Sequence, residues 1–185
     1  MAESARRDDL RLEDLPDSAV NDEMDGELRT LLASCFDGPA SEAFLTRRFF
    51  LEPPEHRFLL RAPRESVAAH AACRWRPVGC ALGGLTLAGV SEVCVHPAHR
   101  GQGLVRRLLD PLHARVYEQG GLFVLLFGRA RIYASSGYRR VDNVFRYWDA
   151  SRFRWREERV PSALVRPLSD TAWPEGPIDL KGILF

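Results

Sequence analysis

Residues 90–127 constrain the fold more than any other stretch of the chain. Val90-Ser91-Glu92-Val93-Cys94-Val95 has the texture of a strand and runs through Pro97 into Arg100-Gly101-Gln102-Gly103. From there Leu104, Leu108, Leu112 and Val116 recur every fourth residue, flanked by Val105 and Leu109, while Arg106, Arg107, Asp110 and Glu118 take the opposite face. Gly120-Gly121 ends that helix. Phe123–Phe127 is then continuously apolar, the pattern of a strand covered on both faces of a sheet, and Gly128 breaks it. A strand, a glycine turn, an amphipathic helix and a buried strand make a strand–helix–strand unit, which commits the chain to the α/β (α+β) class.

The remaining pattern surrounds that unit. Residues 1–20 are polar and read as a flexible lead-in ending near Pro16. From Asn21 to Phe36 the apolar residues Met24, Leu28, Leu31, Leu32 and Cys35 fall at helical spacing, stopped by Asp37-Gly38-Pro39. Ser41 and Glu42 open a second short helix through Phe44, Leu45, Phe49 and Phe50, closed by Pro53-Pro54. Four β-like runs follow, Arg57–Arg61, Val67–Val78, Gly84–Leu87 and Val90–Val95, as in an antiparallel meander. A short helix over 129–136 has Gly137 placed as its cap, and strand-like pieces return at Asn143–Trp148 and Ala163–Arg166. A length of 185 residues suits one domain, read here as residues 21–185 behind the lead-in. The order predicts a mixed, mostly antiparallel central sheet flanked by helices.

Composition narrows the function. A 45% hydrophobic and 28% charged chain has the makeup of a folded globular protein rather than a disordered one. No run reaches the ~18 apolar residues of a membrane span, and the first residues lack a secretory signal's apolar stretch, so a cytoplasmic location without membrane contact is expected. Cys35, Cys73, Cys80 and Cys94 stand singly, as reduced thiols do. The net charge of +1 gives no global pull on nucleic acid. Arginine and aromatic residues interleave between Phe145 and Arg159, but Asp142, Asp149, Glu157 and Glu158 dilute them, so this reads as an exposed amphipathic strand and loop. Nine acids between residues 8 and 27 make a patch that either draws a cationic acceptor or is solvated surface.

The chemistry lies in the glycine turn. A strand feeding a glycine-bearing helix start aims unsatisfied backbone N–H groups and a partial positive charge at one spot, which suits a phosphate. Arg100 adds a side-chain donor, with Arg106 and Arg107 one turn further on. A dinucleotide fingerprint would need glycine where Arg106 stands, and a P-loop would need Gly-Lys-Ser/Thr. Ser135-Ser136-Gly137 lacks the first glycine of a nucleophile elbow. Cys94, His96 and His99 have no fourth partner at metal-site spacing, so no metal is assigned.

VCVHP followed by AHRGQGL, with RARIYASSGYRRV some 25 residues beyond it, resembles the two signature segments of the GCN5-related N-acetyltransferase (GNAT) superfamily. The likeness covers about residues 57–148. VAAHAAC and RARIYASSGY look most like the aminoglycoside 2'-N-acetyltransferase and nodulation acyltransferase branch. The resemblance implies a GNAT-like sheet whose strand–helix–strand unit takes acetyl-CoA as co-substrate. It assigns backbone groups of Val93, Cys94 and Val95 to the pantetheine arm and thioester, and Arg100, Gly101, Gln102, Gly103, Leu104 and Val105 to the pyrophosphate. It also implies that Tyr133 protonates the departing thiolate. Glu92 is the candidate general base, with His70 or a water as alternatives, because many relatives carry the acid one position earlier, where this chain has Ser91. Further departures are Ala98 and Val105. The implied reaction moves an acetyl group directly to an amine of a small molecule such as an aminoglycoside or polyamine, or of a peptide. A non-catalytic acyl-CoA sensor is the alternative, and the apolar C-terminal strands leave room for a homodimer.

Overall fold

The computed structural model describes residues 9–62, 66–81 and 83–185. They form two compact units, Met1–Cys73 with Glu92–Leu112 and Arg74–Ser91 with His113–Phe185. Two long strands, β3 (Val67–Cys80) and β4 (Gly83–Val95), serve in both.

In the first unit, β1 (Arg11–Pro16) pairs antiparallel with β2 (His56–Arg61), and β2 pairs antiparallel with the first half of β3. Helix α1 (Asp22–Cys35) starts where the Asn21 side chain accepts from the Met24 amide at 2.9 Å, and Asp22, Glu23 and Asp25 complement its positive end. Its buried Leu28, Leu31 and Leu32 meet Phe44, Leu59 and Cys94. Helix α2 (Pro39–Phe44) opens at Gly38, whose φ of +63° only glycine adopts freely.

Two expectations change here. Part of the expected lead-in, residues 11–16, is the edge strand β1, whose alternating exposed and half-buried residues carry too few apolar side chains to be read as a strand. Residues 1–8 of that lead-in lie outside the described residues. The second helix ends at Phe44 rather than near Phe50, because the backbone beyond it is committed elsewhere. The Arg48 carbonyl accepts from Arg57, and the Phe50 amide donates to Glu92.

In the second unit the strands are ordered β6 (Arg139–Arg140), β9 (Ala163–Pro167), β5 (Phe123–Phe127), β4, β3, β10 (Ile178–Asp179), β7 (Val144–Asp149) and β8 (Arg154–Arg159). β4 and β5 run parallel, as a strand–helix–strand crossover through α3 (Leu104–Glu118) requires. The runs Gly84–Leu87 and Val90–Val95 are one strand, β4. The segment read as an amphipathic strand and loop is the β7–β8 hairpin. Its Arg146 lies 2.8 Å from Asp179 and stacks over Trp155 at 4.4 Å, and Arg156 pairs with Asp149 and Glu158, so these two arginines are engaged with acids of the same surface. Helix α4 (Ala130–Tyr133) continues as one tight turn to Ser136, closed by Gly137 at φ +80°.

Candidate active site

The turn after β4 is anchored at both ends. The His96 amide donates to the Ala68 carbonyl at 2.9 Å, and Leu104, 2% exposed, buries the first residue of α3. Between them Gly101 and Gly103 have φ values of +79° and +73°, and a Cβ at either would meet nothing within 4 Å. Gly103 leads directly into α3, and left-handed glycines before a helix N-terminus leave its unsatisfied backbone N–H groups uncovered, the kind of cradle that suits an anion. Gln102 carries a buried side-chain oxygen without a hydrogen-bond partner. Arg100 borders the cradle, its Nε donating to the Val95 carbonyl at 3.2 Å. Of the two downstream arginines, Arg106 is exposed beside Asp110, whereas Arg107 turns back onto the Leu10 carbonyl and is committed to the fold.

Immediately before the turn, β4 bends at Glu92, a non-glycine residue at φ +54°. A residue there breaks the alternation of the strand, which redirects its side chain. The Glu92 side chain is only 7% exposed. Its Oε1 accepts from the Phe50 amide at 2.8 Å, while Oε2 has no hydrogen-bond partner and lies 3.6 Å from Nη1 of Arg57. Burial raises the acid to about 7 against the opposing pull of Arg57.

Arg57 is wholly buried. Its Nε donates to Oδ1 of Asp17 at 2.5 Å, Nη2 donates to the Arg48 carbonyl at 2.8 Å, and Nη1 lies 2.9 Å from Nε2 of His70. A guanidinium only donates, so Nε2 of His70 accepts and its Nδ1 carries the hydrogen, donated to the Glu92 carbonyl at 2.9 Å. Burial and Arg57 together lower His70 to about 3. Both ring nitrogens are occupied and the ring is neutral, so His70 fixes the bend at Glu92 and has no lone pair left for an acceptor.

Asp17 joins the two arginines, taking Arg48 by both Nε and Nη2 at 2.9 and 2.7 Å as well as Arg57. Burial works to raise its carboxyl, and the arginines outweigh it and hold it below the usual range. Arg48 also reaches Asp25 at 3.0 Å. Asp17 and Asp25 are therefore engaged internally, with Glu27 on Arg61 and Asp14 on His56 as further pairs. Sequence reading missed Asp17, Arg48 and Arg57. The available signal was an arginine opening the otherwise apolar run Phe58-Leu59-Leu60.

Cys94, buried, and Val93 and Val95, half-buried, complete the strand end. The half-buried Cys35 thiol donates to the Val95 carbonyl at 3.5 Å and is lowered to about 6, chiefly by hydrogen bonding with Cys94. In the second unit Tyr133 is 9% exposed. Its ring lies against Gly128, where a Cβ would come within 2.6 Å of it, and meets Tyr138 edge-on at 5.8 Å. Among the described residues no group of three or more His, Cys, Asp or Glu is arranged to hold a metal ion, and no helix is long and apolar enough to cross a membrane.

Residues 18–141 match the acetyltransferase (GNAT) domain family. The chain belongs to the GNAT family. A GNAT acetyltransferase is an N-acetyltransferase that draws its acetyl group from acetyl-CoA and passes it to an amine. The residues present fit that co-substrate, since the turn at Gly101 and Gly103 is open and leads into a helix N-terminus, an arrangement that suits a phosphate. Solved GNAT structures share the fold. The GNAT family N-acetyltransferase YhbS of Escherichia coli, crystallised with CoA, aligns with a TM-score of 0.68 at 18% identity over 97% of this chain and 93% of its own. A GNAT family acetyltransferase of Brucella melitensis in complex with acetyl-CoA aligns at 0.58 and 14%, covering 91% and 94%. The ribosomal-protein-S18-alanine N-acetyltransferase of Escherichia coli aligns at 0.55 and 18%, covering 88% and 97%. No curated protein matches the sequence.

Proposed function

We propose that this GNAT enzyme transfers the acetyl group directly to a primary amine of a small molecule or peptide, with Glu92 as the general base. The supporting observation is a carboxylate 7% exposed, fixed through Oε1 and without a hydrogen-bond partner at Oε2, which lies 3.6 Å from Nη1 of Arg57, with its proton equilibrium raised to about 7 by burial. An acceptor arrives as an ammonium ion and must lose one proton before its nitrogen can attack, and a base poised near neutrality takes it at least cost. The amine then forms its bond to the thioester carbon, the C–S bond breaks, the thiolate takes a proton from the Tyr133 hydroxyl, and the second proton lost by the amine nitrogen passes through water to the tyrosinate. The net reaction converts ammonium and acetyl-CoA to amide, CoA and one released proton.

In this reading the backbone of Val93, Cys94 and Val95 holds the pantetheine arm and the thioester oxygen, and N–H groups aimed at the developing oxyanion supply the largest share of rate. Arg100, Gly101, Gln102, Gly103, Leu104 and Val105 hold the pyrophosphate. Calorimetry with acetyl-CoA tests the placement. Wild type should bind, and Gly103→Glu, which puts a negative charge and a side chain into the cradle, should abolish binding while the fold survives. Equal binding by both proteins sinks the placement.

A further inference from the structure

Two carboxylates face the buried guanidinium of Arg57, and they are held differently. Asp17 meets Nε at 2.5 Å and forks across Arg48, whereas Glu92 stands 3.6 Å from Nη1, beyond hydrogen-bonding distance. A guanidinium does not lose its proton in a protein, and a buried one requires an anion. With Asp17 absent, Glu92 would be the nearest carboxylate to Arg57 and would become its permanently ionised partner, useless for collecting a proton near neutrality.

We propose that Asp17 is a positioning residue that satisfies Arg57 and so leaves the Glu92 carboxyl available as the base, a role that rests on the reading of Glu92 given above. The surrounding bonds point the same way. The Asp17 amide donates to the Glu55 carbonyl at 3.0 Å, which ties Asp17 to the chain entering β2. Arg48 grips Asp17 with two bonds, gives its own carbonyl to Arg57, and lies two residues before the Phe50 amide that fixes Oε1 of Glu92. Segment 48–50 therefore links the residue that satisfies Arg57 to the acid it spares.

The groups that face Glu92 define its response to charge. They are Arg57 on β2, Asp17 ahead of α1, the neutral ring of His70 on β3 and the Cys94 thiol on β4, with Arg48 and Asp25 one contact further out. Removing the Asp17 charge strengthens the hold of Arg57 on Glu92 and favours the ionised acid. Removing Arg48 does the opposite, because Asp17 then bears on Arg57 undivided and one positive charge is gone.

The test follows the Glu92 carboxyl carbon by NMR in the full chain labelled with glutamate carrying carbon-13 at the carboxyl, titrated from pH 5 to 9 without ligand. Glu92→Gln identifies the signal. In Asp17→Asn the ratio of ionised to neutral Glu92 at pH 7 should rise about tenfold or more, equivalent to a midpoint about one unit lower. In Arg48→Met the midpoint should rise. An unmoved Glu92 midpoint in folded Asp17→Asn overturns the proposal, and so does an unmoved or lowered midpoint in Arg48→Met, which decides alone if Asp17→Asn does not fold. The base reading fails separately. Full amine acetylation by Glu92→Gln would remove it while leaving the titration intact.

Discussion

At the scale of single residues, the base assignment predicts both a rate and a pH profile. Glu92→Gln keeps the Oε1 hydrogen bond from Phe50 and removes the proton acceptor, so acetylation of a responsive amine should fall by about 10²–10⁴-fold with acetyl-CoA binding retained. Comparison of turnover with calorimetric affinity checks this. A base works only when ionised, so the wild-type rate should climb as pH rises through about 7 and then level off, and the climb should vanish in Glu92→Gln. Tyr133→Phe is a milder change, because the ring stays against Gly128 and only the hydroxyl goes. It should slow turnover more than it weakens coenzyme binding, which steady-state kinetics beside calorimetry will separate. Glu92 was legible in the sequence as a carboxylate on the strand leading into the glycine turn. Its direction was not, because strict alternation assumes an unbroken strand, and the left-handed φ at Glu92 is imposed by His70 gripping its carbonyl and Phe50 gripping its carboxylate. Partners 22 and 42 residues away leave no local trace.

At the scale of elements, legibility followed the strength of periodicity. Helices α1 and α3 stand within a residue or two of their sequence boundaries, because a repeating apolar stripe and an Asn cap or glycine turn are local signals. Strands β1, β6 and β10 are short or polar and owe their existence to the neighbours they pair with, Arg11–Pro16 to β2 and Ile178–Asp179 to β7 and β3. The C-terminal segment shows how such long-range dependence bears on β4. An added Cβ at Gly89 would fall 1.9 Å from the Phe185 ring, which itself lies under the Arg76 guanidinium at 4.3 Å. Gly89→Ala therefore either expels the ring or strains the strand, a cost of about 1–3 kcal/mol in line with other overpacked sites. Phe185→Ala opens the space, so the double variant should be more stable than the sum of the two single losses predicts. Denaturant unfolding of all four proteins measures that coupling, and strict additivity would mean that the ring does not sit on β4 in solution.

At the scale of the whole molecule, the buried titratable groups set how stability varies with acidity. His70 and His113 are both lowered from 6.5 to about 3, His70 by burial and Arg57, His113 by burial and Arg166. The unfolded chain therefore binds their protons first, and the stability present above pH 6.5 is lost as the pH falls toward 3. Glu92 has the opposite sign. Raised from 4.5 to about 7, it is protonated in the folded chain before it is in the unfolded one, so it adds stability as the pH falls from 7 to 4.5. Cys35, lowered from 9.0 to about 6, acts between pH 6 and 9. Between pH 6 and 4.5 the two histidines and Glu92 leave a net uptake of one proton on unfolding. Through these three groups the chain should lose stability as the pH falls from 6 to 4.5, the two histidines outweighing Glu92. Replacing Glu92 by glutamine removes the opposing acid, so the loss of stability with acidification should become steeper. Denaturant midpoints at pH 6.0, 5.25 and 4.5 for the two proteins test that difference in steepness. Equal slopes would show that Glu92 is already ionised at pH 6, and the carboxylate would then be too weak a base to take a proton from an ammonium near neutrality.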